Sequence, residues 1–321
     1  MKKLVSIICI LSMIFALAVC ASPAALAADV SYNVGICQLV QHAALDAATE
    51  GFKAALTDKL GDSVIFSEQN ASGDSATCSI ICNQFVGDEV DLILANATPA
   101  MLAAASATNQ IPILGTSITD YASALDIADW TGSTGTNISG TSDLSPLDGQ
   151  AEMLNELFPD AKNVGILYCS GEPNSKFQAD TIAPILEEMG YTVTAFTFAD
   201  SNDVAAVTQT ACDDCDVLYI PTDNTAASCA EAINNVAITA GIPIVAGEEG
   251  LCAGCGVATL SISYYDLGYA TGEMAAEILV DGADISTMDI RYAPTFTKKF
   301  NAANCETLGI SVPADYVAIG E

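Results

Sequence analysis

The chain has 321 residues, of which 51% are apolar, 40 are acidic and nine are basic. This length and apolar content are enough for two globular domains with a large core, and they exclude a disordered chain. The formal net charge of −31 argues against nucleic acid and anionic lipid as partners. A polyanion of that strength gains no counterion-release energy by binding them.

The first 28 residues have the pattern of a secretory signal peptide. Two lysines precede an apolar run over residues 4–19, and the small-x-small pattern of a cleavage site follows at residues 25–27. The run is shorter than the roughly 20 residues of a membrane-spanning helix. We expect the mature chain to begin near Ala28, outside the cytoplasmic membrane, in the periplasm or on the outer face. In an alternative interpretation, Cys20 ends a lipoprotein box and carries a lipid anchor.

Three short β-rich motifs recur in the same order in the second half of the chain. Each is bounded by turn residues and is typical of a buried strand. Repeated landmarks in one order predict two similar halves. Residues 33–36 recur as 163–166, residues 91–94 as 216–219, and residues 111–114 as 242–245.

Helical patterns separate these predicted strands. Apolar residues recur at helical spacing within residues 45–60, 147–158, 182–189 and 233–240. Alternating strands and helices indicate parallel sheets that are covered by helices on both faces. The sequence therefore predicts an α/β fold with two similar doubly wound parallel-sheet lobes around a central ligand cleft.

Polar residues follow the predicted strands throughout. In open parallel sheets, ligands bind beyond the carboxyl ends of the strands, so two lobes with polar strand ends would form a binding cleft. The candidates at these positions are Gln38, His42, Asn96, Thr98, Thr119, Asp120, Asn174, Ser175, Asp223, Asn224 and Glu248.

The chain has twelve cysteines, and two pairs of them have the CxxC form: Cys212 with Cys215, and Cys252 with Cys255. Such a pair is a local disulfide or two inert thiols, a zinc half-site, or a redox pair. A zinc site is disfavoured because the one histidine, His42, lies far from both pairs in sequence. We expect no metal and no cofactor.

The sequence also argues against an enzyme. A serine or cysteine hydrolase would have to use His42 as its base, and no Gly-x-Ser-x-Gly motif is present. No Gly-x-Gly-x-x-Gly loop follows the first predicted strand, which disfavours a nucleotide-dependent enzyme. We therefore expect a binding protein and no catalytic residues.

A series of short motifs runs through nearly the whole chain after the predicted signal peptide: residues 35–38 with His42, 91–95 with 97–100, 118–120, 137–143, 165–168 with Glu172, 219–224 and 264–268. Through these motifs, the chain from about residue 33 to residue 313 resembles bacterial ABC-transporter substrate-binding proteins of the tryptophan/tyrosine-binding type, which have the type I periplasmic-binding-protein fold. The sequence departs from the family pattern at Tyr121, where a proline is usual, and in its two CxxC pairs.

The resemblance implies two lobes that close over a small molecule and deliver it to an ABC permease with its ATPase. The first lobe would hold residues 29–142 with 262–290, and the second residues 143–261 with 291–321. The chain would act as a monomer and carry an aromatic amino acid. Other cargoes of similar clamps are a sugar, a nucleoside or a branched-chain amino acid, and a sensory ectodomain without transport is a further alternative.

An amino acid buried between two lobes must have both of its charges paired. Helix N-termini can receive its carboxylate, and the predicted helix starts at Thr98 and at Asn174-Ser175 offer two. Carboxylates after strands would receive its ammonium group, and tyrosine or phenylalanine side chains would stack on an aromatic ring. The candidates are Asp120, Asp223 and Glu248 for the ammonium group, and Tyr168, Phe177 and Tyr265 for the ring.

Overall fold

The computed structural model describes residues 31–320. The predicted signal peptide, its cleavage site and Cys20 lie outside the described residues. Strands and helices alternate from the start of the described chain. The elements up to the end of the first sheet's central strands are β1 (Tyr32–Gln38), α1 (Ala43–Leu60), β2 (Val64–Asn70), α2 (Ser75–Gly87), β3 (Leu92–Asn96), α3 (Thr98–Ala107), β4 (Ile113–Ile118), α4 (Tyr121–Ala124) and β5 (Ile138–Ser142).

The second half of the chain repeats this alternation before the chain returns to the first sheet. Its elements are α5 (Leu147–Leu157), β6 (Asn163–Cys169), α6 (Pro173–Glu188), β7 (Thr192–Phe198), α7 (Val204–Asp214), β8 (Val217–Ile220), α8 (Asn224–Ser228), α9 (Ala230–Ala240), β9 (Ile244–Ala246), α10 (Glu249–Cys255), β10 (Ala258–Ser261), α11 (Tyr264–Leu279), β11 (Arg291–Tyr292), β12 (Thr297–Phe300), α12 (Ala302–Leu308) and β13 (Val317–Ala318). Short 3-10 turns lie at Gly61–Ser63 and Ile285–Thr287.

The strands form two sheets, one in each lobe. The first has the order β11-β5-β4-β3-β1-β2 and the second the order β13-β12-β10-β9-β8-β6-β7. Pairing is parallel except between β10 and β12. The core strand order 5-4-3-1-2 of the first sheet recurs as 10-9-8-6-7 in the second, and this confirms the fold predicted from the repeated motifs.

Apolar side chains bury both faces of each sheet. In the first lobe, one face packs around Phe85 and Met101 and the other around Phe52 and Met274. The second lobe has the same arrangement, with one layer around Ile182 and another beneath α7, α9 and α10. This layering leaves the carboxyl ends of the parallel strands free of core residues and available for polar groups.

The chain passes between the sheets three times. It leaves the first sheet after β5, returns after β10 through α11, and leaves again between β11 and β12. We expected the last passage near Arg291, but Arg291 and Tyr292 pair with Thr141 and Ser142 of β5. The passage therefore lies at residues 293–296, because two residues of parallel pairing hold the chain to the first sheet.

Helices α1 and α11 pack against each other through two glycines. A Cβ atom on Gly268 would lie 1.9 Å from the backbone oxygen of Ala48, and one on Gly51 would lie 2.0 Å from that of Tyr265. Only glycine permits so close a backbone approach. The contact fixes the start of α1, which follows His42, relative to the start of α11 at Tyr264.

Candidate functional site

A cavity of about 280 Å³ lies between the two lobes, at the carboxyl ends of both sheets. The closed lobes leave almost no room in it for a group larger than a water molecule, so the lobes must separate to admit a ligand. Its polar lining comes from loops that follow strands, as the parallel-sheet rule predicts. The structure brings six of the predicted residues here: His42, Thr119, Asn174, Asp223, Asn224 and Glu248.

Three buried polar atoms of this lining have no hydrogen-bond partner among the described residues. They are Nδ1 of His42, Oγ of Ser117 and Oδ1 of Asn174. Each buried polar atom left unpaired costs about 1–3 kcal/mol, so native proteins rarely leave several in one place. A cluster of three around one cavity indicates a site that a polar ligand completes.

Backbone strain accompanies this cluster. Ser117 has a φ of 57° and Ala97 a φ of 90°, in the left-handed region that non-glycine residues rarely occupy. Both lie where strands of the first sheet end, and Ser117 lines the cavity. Strained residues of this kind concentrate at binding sites, because the surrounding structure holds a side chain where function requires it.

The cavity is acidic. Asp143, Asp223 and Glu248 line it and are all buried, and no lysine or arginine is among the described residues that line it. Burial raises the pKa of Asp143 to about 6 and that of Glu248 to about 7. Burial and the neighbouring Glu172 raise the pKa of Asp223. These shifts mean that the site lacks a cation to balance its carboxylates.

The three carboxylates differ in what holds them. Asp223 accepts hydrogen bonds from the backbone N–H groups of Cys169 and Ala226, each at 2.7 Å, and so caps α8. Glu248 caps α10 by accepting from the N–H groups of Gly250 and Leu251. Both carboxylates are therefore partly stabilised by helix N-termini.

Asp143 has no such cap. It follows β5 at the first passage between the lobes, and its oxygens accept from two hydroxyl groups. The Tyr264 hydroxyl donates to Oδ2 at 2.9 Å, and the Thr119 hydroxyl donates to Oδ1 at 3.4 Å. Of the cavity's carboxylates, Asp143 is the one that no helix N-terminus stabilises.

Two hydrogen bonds join the lobes directly across the cleft. Nε2 of His42 lies 3.2 Å from Oδ1 of Asn224, and Nε2 of Gln178 donates to Oγ1 of Thr119 at 3.1 Å. Burial lowers the pKa of His42, so the imidazole is neutral at pH 7 and can donate from Nε2 while Nδ1 accepts. The lobes are therefore closed on each other.

Gln38 and Asn96 lie beneath the cavity and do not line it. Nδ2 of Asn96 donates to the backbone oxygen of Leu45 at 2.8 Å and to Thr49 Oγ1 at 2.9 Å. The Thr49 hydroxyl donates to Oε1 of Gln38 at 2.6 Å, and Gln38 Nε2 donates to Asp46 at 2.7 Å. The two amides thus hold the first turns of α1, next to His42, against the ends of β1 and β3.

Thr98 and Asp120 line a second cavity of about 560 Å³ that adjoins the first. The two cavities share Thr119 and Asn174. Oγ1 of Thr98 is buried without a partner among the described residues, whereas Asp120 caps α4 by accepting from the N–H group of Ser123. The apolar part of this cavity is formed by Ala124, Pro173 and Phe177.

Besides Gln38 and Asn96, three other predicted residues line neither cavity. Tyr168 packs in the core of the second lobe. Ser175 is fully buried at the start of α6. Tyr265 is 43% exposed and packs on Tyr269, because on α11 it follows Tyr264, whose side chain already takes the inward face.

Sequence reasoning missed Asp143, Ser117 and Tyr264 as individual candidates. Asp143 directly follows β5, and Ser117 lies in the polar stretch that ends β4. The strand-end pattern was therefore a sufficient signal for both. Tyr264 begins a helix on the return passage between the lobes, and no pattern in the sequence distinguishes it from Tyr265.

All ten described cysteines are free, and all but Cys229 are buried. Within residues 31–320, no cluster of histidine, cysteine or acidic side chains is arranged to hold a metal ion. In this structure both CxxC pairs consist of free, buried thiols. No described helix is long and apolar enough to cross a membrane.

Residues 33–318 match the family described as ABC transporter substrate binding protein. The chain is 38% identical, over 264 residues, to a tyrosine-binding protein of Clostridioides difficile, and the match covers 80% of this chain and 76% of the relative. Among solved structures, it superimposes with a TM-score of 0.84 on an ABC domain from Streptococcus pneumoniae in complex with L-Trp, at 30% identity and with 88% and 96% of the chains covered.

A second solved structure is the ligand-free, open form of a substrate-binding protein with adhesive properties from Clostridium difficile. It is more similar in sequence, at 35% identity with 90% and 99% of the chains covered, yet its TM-score is lower, at 0.67. This chain thus superimposes better on the L-Trp complex than on the open, ligand-free structure. The difference agrees with the hydrogen bonds that join its lobes across the cleft. This structure has its lobes closed.

Proposed function

Because this chain belongs to the family of ABC transporter substrate-binding proteins, we propose that it binds an aromatic amino acid between its lobes and delivers it to the permease of an ABC importer, which an ATPase drives. The protein would act outside the cytoplasmic membrane, as a monomer, either released near Ala28 or anchored through Cys20. The proposal includes no catalytic step.

The observation that carries the proposal is the closed cavity with its carboxylates and unpaired polar atoms. A buried ammonium group needs carboxylate and other acceptors, and the cavity supplies them through Asp143, Asp223, Glu248 and Oδ1 of Asn174. Removing a zwitterion from water is favourable only if both charges find such partners. The hydroxyl groups of a sugar can also donate to carboxylates, but they bring no positive charge to balance them.

We assign the ligand's carboxylate to the junction of the two cavities. Helices α3 and α6 approach each other there from opposite lobes, and each has a proline in its first turn. Their first-turn N–H groups and positive dipole ends attract an anion. The buried hydroxyl of Thr98, which lacks a partner among the described residues, would add a donor.

We place the aromatic side chain in the second cavity. Its wall of Ala124, Pro173 and Phe177 is apolar, and Phe177 is the predicted stacking residue that lines it. Burying an aromatic ring would contribute roughly 3–5 kcal/mol at about 25 cal/mol per Å². The tyrosine-binding relative and the L-Trp complex support a ligand of this size.

A thermal-shift screen of the purified, refolded protein against the twenty amino acids, common sugars and nucleosides tests this proposal. A ligand at 100 times its Kd adds about 2.7 kcal/mol to the stability of the folded state. We expect shifts confined to tryptophan, tyrosine and phenylalanine. A shift with a sugar, a nucleoside or a branched-chain amino acid would contradict the proposed cargo, and no shift with any of them would favour a non-transport role.

A further inference from the structure

We propose that Asp143 is the acceptor of the ligand's ammonium group, and that it links ligand binding to lobe closure through Thr119 and Gln178. This inference rests on the proposed function, since it requires a ligand with an ammonium group. It assigns one residue among three carboxylates to the charge. It also assigns a positioning role to Gln178, which lines neither cavity.

The choice of Asp143 follows from how the carboxylates are held. Both oxygens of Asp223 and both oxygens of Glu248 accept backbone N–H groups at helix starts. Their negative charge is already partly balanced by those helix dipoles. Asp143 accepts only from the hydroxyl groups of Thr119 and Tyr264, so no backbone N–H group of a helix start occupies its oxygens.

Asp143 lies at one of the three passages of the chain between the lobes. It is the first residue after β5, where the chain leaves the first sheet. Its partner Tyr264 begins α11, where the chain returns. One hydrogen bond therefore joins two of the three passages between the lobes, and a ligand at Asp143 contacts the segments about which the lobes must rotate.

From Asp143 a line of hydrogen bonds crosses to the second lobe. An ionised carboxylate can only accept, so the Thr119 hydroxyl gives its proton to Asp143 and keeps its lone pairs for Gln178. Gln178 also forms two hydrogen bonds with Thr222. Its Nε2 donates to the Thr222 hydroxyl oxygen, and its Oε1 accepts from the backbone N–H group of Thr222. The donor direction along this line is thus set by the charge on Asp143.

All members of this line are buried. Gln178 is 1% exposed, Thr119 2%, Asp143 4% and Tyr264 7%. Hydrogen bonds shielded from water are stronger, and losing one partner leaves the other unpaired. Since Gln178 belongs to the second lobe and Thr119 to the first, the bond between them exists only in the closed form. In the closed form the charge of Asp143 is buried, and an ammonium group bound there balances it, so ligand binding favours closure.

The test uses the full mature protein, with isothermal titration and stopped-flow binding of L-tryptophan, L-tyrosine and L-phenylalanine and small-angle scattering of the liganded form. We expect D143N to weaken binding roughly 100-fold, because the ammonium group loses its charged partner. Q178L should weaken binding about tenfold, the effect of one buried hydrogen bond. Its loss should appear mainly in a faster dissociation rate and a more open liganded form.

Gln209, an exposed glutamine of α7 in the same lobe, provides the matched control Q209L, which should bind as the wild type does. T119S should bind nearly as the wild type does, because it keeps the hydroxyl group, whereas T119V should behave as Q178L does. If Q178L does not fold, the comparison of T119S with T119V still tests the link to closure. In D143N, adding Q178L should cost less than tenfold, since the two residues act through one line.

Unchanged affinity in D143N would overturn the ammonium assignment. Wild-type affinity and dissociation rate in both Q178L and T119V would overturn the link to closure. In either case the wild type still binds the amino acid, so the proposed function stands. A wild-type protein that binds only an uncharged ligand would instead overturn the proposed function and this inference together.

Discussion

Nε2 of His42 lies 3.2 Å from Oδ1 of Asn224 across the cleft, and each of the two residues stands at the start of a helix in a different lobe. The other ring nitrogen of His42 is buried without a partner among residues 31–320. One side chain therefore joins the lobes with one nitrogen and presents the second to the cavity. We therefore expect the lobes and the ligand to share this residue.

Substituting His42 by alanine should lower ligand affinity about tenfold, because the closed form loses one interlobe hydrogen bond and the ligand loses one polar contact. Titration calorimetry measures the effect. His42→Gln retains an amide donor and should recover part of the affinity. An alanine variant with wild-type affinity would show that the bond to Asn224 does not contribute to the bound state.

Ligand affinity should fall as the pH drops below about 6. Burial raises the pKa of Asp143 to about 6 in the ligand-free protein, and a bound ammonium group lowers that pKa, so the binding free energy is fully present above this range and lost as Asp143 takes up a proton. The titratable groups that surround it are Glu248, Tyr264 and Tyr121, with His42 and Asp223 lining the same cavity.

Titration of the wild type from pH 7.5 to pH 5 should show the loss approach tenfold per pH unit below the pKa, the expected slope for one proton. In D143N the slope should be reduced, and what remains would belong to Glu248, whose pKa is raised to about 7, and to Asp223, whose pKa is raised to about 8. An affinity that is constant down to pH 5 in the wild type would contradict an ammonium group bound to Asp143.

Gly268→Ala should destabilise the protein by about 1–3 kcal/mol, because its Cβ atom would overlap the backbone oxygen of Ala48. Thermal unfolding should show a fall of several degrees in Tm. Gly87→Ala is the matched control: Gly87 ends α2, and a Cβ atom there meets nothing within 4 Å. The control should be neutral or slightly stabilising. Equal Tm values for the two variants would contradict the close packing of α1 on α11.

The native protein should have one readily alkylated thiol among its ten described cysteines. Cys229 is partly exposed while the others are buried, and burial raises the pKa of Cys212 and of Cys215 to about 11. Mass spectrometry after brief alkylation should find the label on Cys229, and Cys229→Ser should abolish it. After denaturation without reductant, all ten should react; fewer would reveal disulfides in the purified protein.

The sequence predicted the two lobes because buried parallel strands have short, recognisable apolar runs, and these recur in order. It also predicted the edge of each sheet at which the cavity between the lobes lies, since His42, Thr119, Asn174, Asp223, Asn224 and Glu248 all follow strands and all line this cavity.

What the sequence did not show was the direction of individual side chains. Tyr168 follows the inward alternation of β6 into the core, and Tyr265 lies one position past the inward face of α11. Both side-chain directions depend on how the strand or helix is rotated about its own axis, which the amino-acid composition does not show. Asp143 was overlooked because its importance comes from Thr119 and Tyr264, which are distant in sequence and meet it only after folding.

The measurement that tests the central claim most directly is titration calorimetry of the refolded protein with L-tryptophan, L-tyrosine and L-phenylalanine, each beside its N-acetyl derivative. We predict saturable one-to-one binding of at least one amino acid with a negative heat-capacity change, from burial of its ring. The N-acetyl derivative, which lacks the ammonium charge, should bind roughly 100-fold more weakly. Equal binding of an amino acid and its N-acetyl derivative, or no binding of any of the three amino acids, would contradict the account.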